Sequence, residues 1–215
     1  MRGLMWGLAL ALCASAAQAE VCAPKTLTRV VTREVTPQLP PAHFARLPKT
    51  LYRLGVGKAR VEEAPDKVQG VHMLVVIDEP DVWFANREDG SGRHVVDTGP
   101  TFEVHMPIFA GAGLPRPIAD IEFGCEAEFV RAHMPETEHD AGGGRRLSAH
   151  VLRQGDYLLR VVLDPRGRPA EASLRKGGQI LMSVAYDAFE AGLPEDPKLF
   201  VPPEGVVFVE AGTTK

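Results

Sequence analysis

Apolar and polar residues alternate with a period of two through much of this chain, and this pattern limits the possible fold more than any other feature. The alternation is clearest in four segments: 70–78, 101–109, 156–164 and 179–189. Alternation over seven or more residues is typical of β-strands that place one face on a core. Turn sequences such as Lys176-Gly177-Gly178 separate these segments. Short strands joined by tight turns predict an antiparallel, mainly β protein with few short helices.

The same pattern gives candidate positions for all the strands. They lie near 26–35, 50–56, 58–64, 70–78, 81–87, 93–97, 101–109, 118–123, 127–133, 146–153, 156–164, 169–175, 179–188 and 205–210. Segment 178–192 also fits a short helix, although its alternation favours a strand. Residues 36–48 carry four prolines and are predicted to be extended. Residues 134–145 are polar and glycine-rich, which predicts a mobile surface loop.

Several strands carry large apolar residues on both faces, and few helices are available to cover a second face. A curved sheet around a hydrophobic lumen uses such strands. The alternation alone proposes six residues for the lining of that cavity: Val75, Trp83, Phe102, Val104, Leu159 and Met182. Ordinary core packing of the same side chains is the alternative interpretation.

The N-terminus has the pattern of a cleaved signal peptide. Arg2 is followed by an apolar run from Leu4 to about Ala14, and the segment ends in Ala17-Gln18-Ala19. Signal peptidase cleaves after such small residues, and the apolar run is too short to span a bilayer. We expect residues 1–19 to be removed and residues 20–215 to form a single β domain, periplasmic or secreted, that starts at Glu20. A retained N-terminal anchor is the alternative.

Two cysteines, Cys22 and Cys125, remain after cleavage. Cysteines of an exported domain usually pair in an oxidising compartment, so the sequence predicts a disulfide between them. Free or redox-active thiols are the alternative, although the chain has no C-x-x-C motif.

The charge of the chain argues against polyanionic partners. Removal of residues 1–19 takes away one arginine and no acidic residue, so the formal net charge moves from −4 to −5. No block of lysine and arginine stands out, and this favours neither nucleic acid nor an anionic membrane surface as a partner. No second segment is long and apolar enough to span a membrane.

Seven histidines invite a metal hypothesis, which their spacing does not support. None has the H-x-x-x-H spacing of a helical site, and no H-x-H pair occurs. His72, His105 and His150 lie in predicted strands and meet only if the register aligns them. Met73 and Met106, beside two of these histidines, suit copper. We predict scattered histidines and no metal site or cofactor.

Hydrolytic motifs are also missing from the sequence. There is no G-x-S-x-G elbow, and Ser91 lies in a turn sequence that explains it. His94 and Asp97 are three positions apart in a predicted strand, so their side chains point to opposite faces. The chain has no glycine-rich phosphate-binding loop either. We therefore expect a protein that is not an enzyme.

The C-terminal region resembles the periplasmic lipoprotein-localisation carriers, the LolA/LolB-like group. The turn Arg166-Gly167-Arg168-Pro169 leads into a further strand, and Leu193-Pro194-Glu195-Asp196 and the segment 199–206, LFVPPEGV, follow. In the first half, LYRLGVGKARVEE and VHMLVVIDEPDVWFANRE resemble successive strands of that family. The resemblance covers about 130 residues.

This resemblance implies an open half-barrel, with a lid over an apolar cavity that holds acyl chains or other hydrophobic ligands. A buried arginine that contacts the lid matters in those carriers, and Arg53 and Arg60 lie in roughly corresponding strands. The carriers begin with a long amphipathic helix, whereas residues 26–35 alternate like a strand here. The cysteine pair and the segments 110–117 and 134–145 also depart from the family, so the fold transfers more readily than the trafficking role.

The sequence thus predicts a periplasmic, non-enzymatic carrier or binding protein for a hydrophobic or lipid-like ligand. The alternative is an exported structural or accessory domain that acts through a protein partner. A copper- or zinc-binding protein that uses the strand histidines is the third hypothesis.

Overall fold

A computed structural model describes residues 22–97, 103–111, 113–140 and 146–210. The strands are β1 Leu27–Glu34, β2 Lys49–Leu54, β3 Lys58–Glu63, β4 Met73–Asp78, β5 Asp81–Asn86, β6 Ser91–Val96, β7 Glu136–Asp140, β8 Leu147–Gln154, β9 Tyr157–Leu163, β10 Pro169–Lys176, β11 Gln179–Leu193 and β12 Val207–Glu210. The helix α1 spans Glu126–His133. Short 3₁₀ turns lie at Phe44–Arg46, Ile118–Asp120 and Pro197–Phe200.

All twelve strands belong to one curved, open sheet with the order β12-β6-β5-β4-β3-β2-β1-β11-β10-β9-β8-β7. Two antiparallel meanders, β1 to β6 and β7 to β11, join where β11 pairs with β1. The predicted fold class, a mainly β half-barrel built on a single curved sheet, is confirmed. Within the described residues, no helix combines the length and apolar character that a membrane span requires.

The alternation predicted most strands of the sheet, and the turn sequences between them predicted their antiparallel order. Most of the strands are indeed linked by tight turns. Segment 178–192 is a strand, as the alternation favoured over a helix. Gly177 and Gly178 both have positive φ in the turn that precedes it, at 54° and 85°. A two-residue hairpin turn needs this backbone conformation, which glycine adopts without a steric penalty.

The last strand departs from the antiparallel prediction. β12 pairs with β6 in the parallel direction, with Val207 opposite Ser91 and Val209 opposite Arg93. The long connection after β11 returns the chain to this far edge of the sheet. A parallel pair requires such a crossover, whereas a hairpin turn produces only antiparallel neighbours.

The predictions of strands near 101–109, 118–123 and 127–133 are wrong for the described residues. Residues 103–106 have no regular structure, Ile118–Asp120 is a 3₁₀ turn and Glu126–His133 is α1. Residues 103–111 and 113–134, here named the cover segment, instead lie across one face of the sheet. Their apolar side chains are buried against the sheet. The alternating apolar pattern of this segment therefore reflects burial and does not indicate a strand.

Smaller departures concern the two segments predicted to be loose. β7 forms within the predicted loop 134–145 by pairing with β8. The proline-rich segment 36–48 contains a 3₁₀ turn at Phe44–Arg46 within otherwise irregular backbone.

The sheet has an inner face, which the cover segment contacts, and an outer face. The larger inner cluster joins the cover segment to β9, β10 and β11 through Ile108, Phe109, Ile118, Ile121, Phe129, Val130, Met134, Leu159, Val161, Leu163, Ala172, Leu174 and Val184. A smaller inner cluster packs Val104 and Met106 against β3, β4 and β5. On the outer face, Val206 and Phe208 pack over Leu74, Val76 and Ala85.

The predicted disulfide between Cys22 and Cys125 is present, with its Cα atoms 6.1 Å apart. It joins the start of the described chain to the residue that precedes α1. The bridge therefore fixes the cover segment to the N-terminal end of β1.

Candidate functional site

An apolar cavity lies between the inner face of the sheet and the cover segment. Its volume is about 330 Å³. The strands β1, β2, β3 and β11 form one wall, and residues 106–110 with Phe123 form the other. The lining residues are Thr32, Arg33, Glu34, Ala45, Lys49, Leu51, Val61, Met106, Pro107, Ile108, Ala110, Phe123, Met182 and Val184. We call this space the inner cavity.

Arg33 and Lys49, the two basic residues that line the inner cavity, each form an ion pair. Arg33 Nε lies 3.1 Å from Asp187 Oδ1, and Lys49 Nζ lies 2.8 Å from Glu63 Oε1. All of these side chains are at least 30% exposed, so the pairs are well hydrated. The border of the cavity is therefore charged and hydrated, whereas its interior is lined by hydrocarbon groups and by the thioether groups of methionine.

The structure describes five of the six predicted cavity residues and places them at different sites. Met182 lines the inner cavity. Val75 and Val104 belong to the smaller inner cluster, and Val104 is 1% exposed. Leu159 is fully buried in the larger inner cluster. These three residues pack within the protein on the inner face without lining the cavity.

The prediction that Trp83 shares a face with Val75 is wrong. In the register of β4 and β5, Val76 is opposite Trp83 and Val75 is opposite Phe84. Trp83 therefore lies on the outer face, where it packs with Val206 and Phe208. A shift of one residue exchanges the two faces of a strand, and the sequence pattern had no means to fix that choice. Phe102 lies outside the described residues.

A buried arginine, Arg53 on β2, connects the inner face to the cover segment. Its guanidinium donates to the carbonyl oxygens of Phe123 at 2.7 Å and Val104 at 3.0 Å. Nη2 also lies 2.8 Å from Glu122 Oε2, and the Arg53 side chain is 1% exposed. Burial lowers the pKa of Arg53, while the carboxylates of Glu122 and Glu126 oppose this shift. Arg60, the other arginine considered from the resemblance, lies on β3 and donates to Leu199 O.

Two buried carboxylates of the cover segment complete this polar cluster. Glu122 Oε1 lies 2.9 Å from Nδ1 of the exposed His105. Glu126 accepts hydrogen bonds from Gly124 N at 3.0 Å and from the Tyr186 hydroxyl at 2.9 Å. Burial raises the pKa of Glu126 to about 7, although its hydrogen bonds and Arg53 act in the opposite direction. Burial also raises the pKa of Tyr186.

A second, more polar cleft of about 320 Å³ lies on the other side of the cover segment. The disulfide forms part of its wall, with His105, Glu122 and His133 nearby. Glu122 thus lines this cleft and also pairs with the buried Arg53.

His72, His94 and His150, like His105, each have a polar neighbour within the protein. His72 Nε2 lies 3.4 Å from Glu62, and His150 Nε2 lies 3.2 Å from Ser148 Oγ. His94 lies between Asp81 and Glu210, at 2.7 and 2.9 Å. Across residues 22–97, 103–111, 113–140 and 146–210, no three histidine, cysteine or acidic side chains converge in a way that would hold a metal ion.

Sequence reasoning missed most of the lining of the inner cavity, in part because one of its two walls comes from the cover segment. Leu51 and Val61 were within predicted strands, but Ile108 was placed in a strand that does not form. One signal was available in β2, where Arg53 occupies an inward position two residues after Leu51. An arginine in the apolar phase of a strand indicates a buried partner.

Comparisons with known proteins show similarity in fold but little similarity in sequence. Neither a protein-family model nor a curated protein matches this chain. The crystal structure of an uncharacterized conserved protein from Thermus thermophilus is 13% identical, covers 87% of this chain and 91% of that chain, and has a TM-score of 0.50. A structure of MucB in complex with MucA(peri) is 14% identical, covers 86% of this chain and 58% of that chain, and has a TM-score of 0.40.

The Thermus protein shows that this half-barrel occurs in another solved structure. At such low identity, the likeness concerns the fold alone. The open curved sheet implied by the resemblance to the LolA/LolB-like group is present, and membership of that group stays a prediction.

Proposed function

We propose that this chain is an exported, non-enzymatic binding protein for a hydrophobic or acyl-chain ligand. The observation that carries the proposal is the apolar inner cavity of about 330 Å³ between the sheet and the cover segment. This volume falls within the ~300–1,000 Å³ typical of small-ligand sites. Removal of hydrocarbon from water contributes roughly 25 cal/mol for each Å² buried, so such a wall favours apolar ligands.

The distribution of charge suggests how the ligand is oriented. Met182, Val184 and Ile108 surround the apolar part of the cavity, while Arg33 and Lys49 belong to its ionic border. An amphiphile would place its chain among the apolar side chains and leave its polar end in water. Binding of this kind is driven by the removal of apolar surface from water. It requires no covalent chemistry.

The proposed location is the periplasm or the extracellular space. The signal peptide at residues 1–19 remains a sequence-based prediction, because these residues lie outside the described ones. The disulfide supports an oxidising compartment, in which such bonds persist.

Binding of a fluorescent fatty-acid probe tests the proposal. The matched variants are Met182→Trp, which fills the inner cavity, and Leu181→Trp, which adds the same side chain at a neighbouring position. Met182 lines the cavity, whereas Leu181 is 43% exposed and absent from the lining. Val104→Glu would be a poor test, because Val104 is a core residue and a buried charge unfolds the protein.

We expect saturable 1:1 binding by the wild type and by Leu181→Trp, with at least tenfold weaker binding by Met182→Trp. Circular dichroism should show that all three proteins are folded. Equal affinity of the two tryptophan variants, or no saturable binding by the folded wild type, would contradict the proposal.

A protein-binding accessory role is the second candidate. The observation that favours it is the exposure of Val207 and Val209 on the terminal strand of the sheet. This surface is independent of the inner cavity.

A further inference from the structure

An exposed apolar patch lies on the inner side of the sheet, beyond the cover segment. Phe84 is 40% exposed, Val207 is 76% exposed and Val209 is 69% exposed. In the strand register, Phe84 is opposite Arg93 and Arg93 is opposite Val209, so these side chains share one face. We name Phe84, Arg93, Val207 and Val209 the edge patch.

The edge patch coincides with a free edge of the sheet. β12 is the last strand in the sheet order, so one side of its backbone has no strand partner among the described residues. The opposite edge strand, β7, has the sequence Glu136-Thr137-Glu138-His139-Asp140. Charged side chains on an edge strand oppose pairing with other chains, whereas exposed apolar side chains such as those of Val207 and Val209 favour it. The two edges of this sheet are therefore differently protected.

The positive charge of Arg93 indicates the chemistry of a partner surface that would cover the edge patch. The Arg93 guanidinium forms no ion pair with any residue that the structure describes, and Phe84 and Val209 are its neighbours in the register. A complementary surface would present apolar side chains and one carboxylate, because unlike charges fix the register of an interface. An extended segment that pairs with β12 can present both on one face.

We infer that β12 binds an extended segment of another protein by strand addition, with apolar side chains over Val207 and Val209 and a carboxylate on Arg93. This interaction surface is separate from the inner cavity, and it does not depend on the proposed hydrophobic ligand.

A second copy of this chain fits the edge patch less well. In β12, Val207 and Val209 point to the inner side, whereas Phe208 and Glu210 point to the outer side. Glu210 is held there by His94, with Oε2 lying 2.9 Å from Nδ1. Two copies paired through β12 would thus bring valines together and would offer no β12 carboxylate to Arg93.

Labelled nine-residue peptides of alternating valine and threonine test this inference by fluorescence anisotropy. The central residue on the valine face is glutamate, glutamine or lysine, and a fourth peptide carries N-methyl groups on the amides that would pair with β12. We expect the glutamate peptide to bind at least tenfold more tightly than the lysine peptide. Arg93→Glu should reverse this preference, and N-methylation should abolish binding.

The double variant Val207→Thr/Val209→Thr should bind the glutamate peptide at least tenfold more weakly, because threonine keeps the strand shape and removes apolar surface. Val68→Thr is the matched control, since Val68 is 97% exposed outside the sheet. Trp83 emission reports that β12 stays docked, because Trp83 packs with Val206 and with Phe208 of β12. Met182→Trp should leave peptide binding unchanged.

Three results would overturn the inference. The first is the absence of saturable binding of every peptide by the folded wild type. The second is an unchanged preference in Arg93→Glu. The third is a monomer–dimer equilibrium in sedimentation that disappears in Val207→Thr/Val209→Thr, which would assign the edge patch to a second copy of the chain.

Discussion

At the scale of single residues, the inner face carries charges in positions that the strand pattern reserves for apolar side chains. Arg53 on β2 forms a buried ion pair with Glu122 of the cover segment, and their side chains are 1% and 5% exposed. Glu126 on α1 is also fully buried. Removal of one partner from a buried ion pair usually destabilises a protein by about 3–5 kcal/mol, because the other charge stays behind unpaired. This cluster therefore holds the cover segment in one position and makes its placement sensitive to protonation.

Glu126→Gln should change how stability depends on pH. The pKa of Glu126 is raised from 4.5 to about 7 in the folded protein, chiefly by burial. Between these values the folded state binds more protons than the unfolded state, so the free energy of unfolding falls as pH rises from about 4.5 to about 7. A shift of this size corresponds to roughly 3 kcal/mol at most. Urea denaturation at pH 5 and pH 8 should show a smaller loss in Glu126→Gln than in the wild type.

Glu128→Gln supplies the control, because Glu128 lies on the same helix with its side chain 56% exposed. It should keep the pH dependence of the wild type. Identical pH dependence in Glu126→Gln and the wild type would show that Glu126 does not titrate in this range.

At the scale of elements, the sheet was predictable and the cover segment was not. Alternation identified β1, β9 and β11 because a strand with one buried face has a period of two. The cover segment also alternates around Val104 and Met106, yet it forms no strand there. Its residues are buried by contact with the sheet, so its pattern reports burial and does not report backbone conformation.

The sequence could predict residues of the candidate site only where they lie on predicted strands. Even there, the pattern had to assign the correct face of each strand to the inner side. The pattern grouped Leu159, Val75 and Trp83 on one face, whereas the structure has Leu159 and Val75 on the inner side and Trp83 on the outer side. Ile108 and Phe123 reach the inner cavity through tertiary packing of the cover segment. Such long-range placement depends on contacts that no local period encodes.

Gly92→Ala should loosen β12 from the sheet. A Cβ atom at position 92 would lie 2.6 Å from Phe208 Cε1 and 2.7 Å from Val206 Cγ1. Overpacking of this kind typically destabilises by about 1–3 kcal/mol. We expect faster hydrogen exchange at the amides of Val207–Glu210 and a change in Trp83 emission.

The triple variant Gly92→Ala/Val206→Ala/Phe208→Ala is the control, because it shortens both side chains that the new methyl group would meet. Its exchange rates should match those of Val206→Ala/Phe208→Ala, since neighbouring substitutions are not additive. Unchanged exchange at Val207–Glu210 in Gly92→Ala would show that Phe208 moves aside at no energetic penalty.

At the scale of the whole molecule, an open sheet requires a cover over its inner face, and three connections hold this cover in place. The larger inner cluster packs the cover segment on β9, β10 and β11. Arg53 binds it to β2 through the carbonyl oxygens of Val104 and Phe123. The disulfide attaches it to the start of β1. The inner cavity lies between these connections, so its shape depends on all three.

Replacement of the disulfide should therefore affect both stability and the cavity. The bridge spans 103 residues, and in the chain-entropy model a loop of this length stabilises by about 4–5 kcal/mol, often less in practice. Cys22→Ser/Cys125→Ala should lower the free energy of unfolding by about 2–5 kcal/mol in urea denaturation. Reductant should lower the stability of the wild type and leave the double variant unchanged. Hydrogen exchange should accelerate first in residues 103–134, with weaker binding of the fatty-acid probe, because the cover segment loses one of its connections. Equal denaturation midpoints for the wild type with and without reductant, after complete reduction, would show that packing and Arg53 suffice to hold the cover.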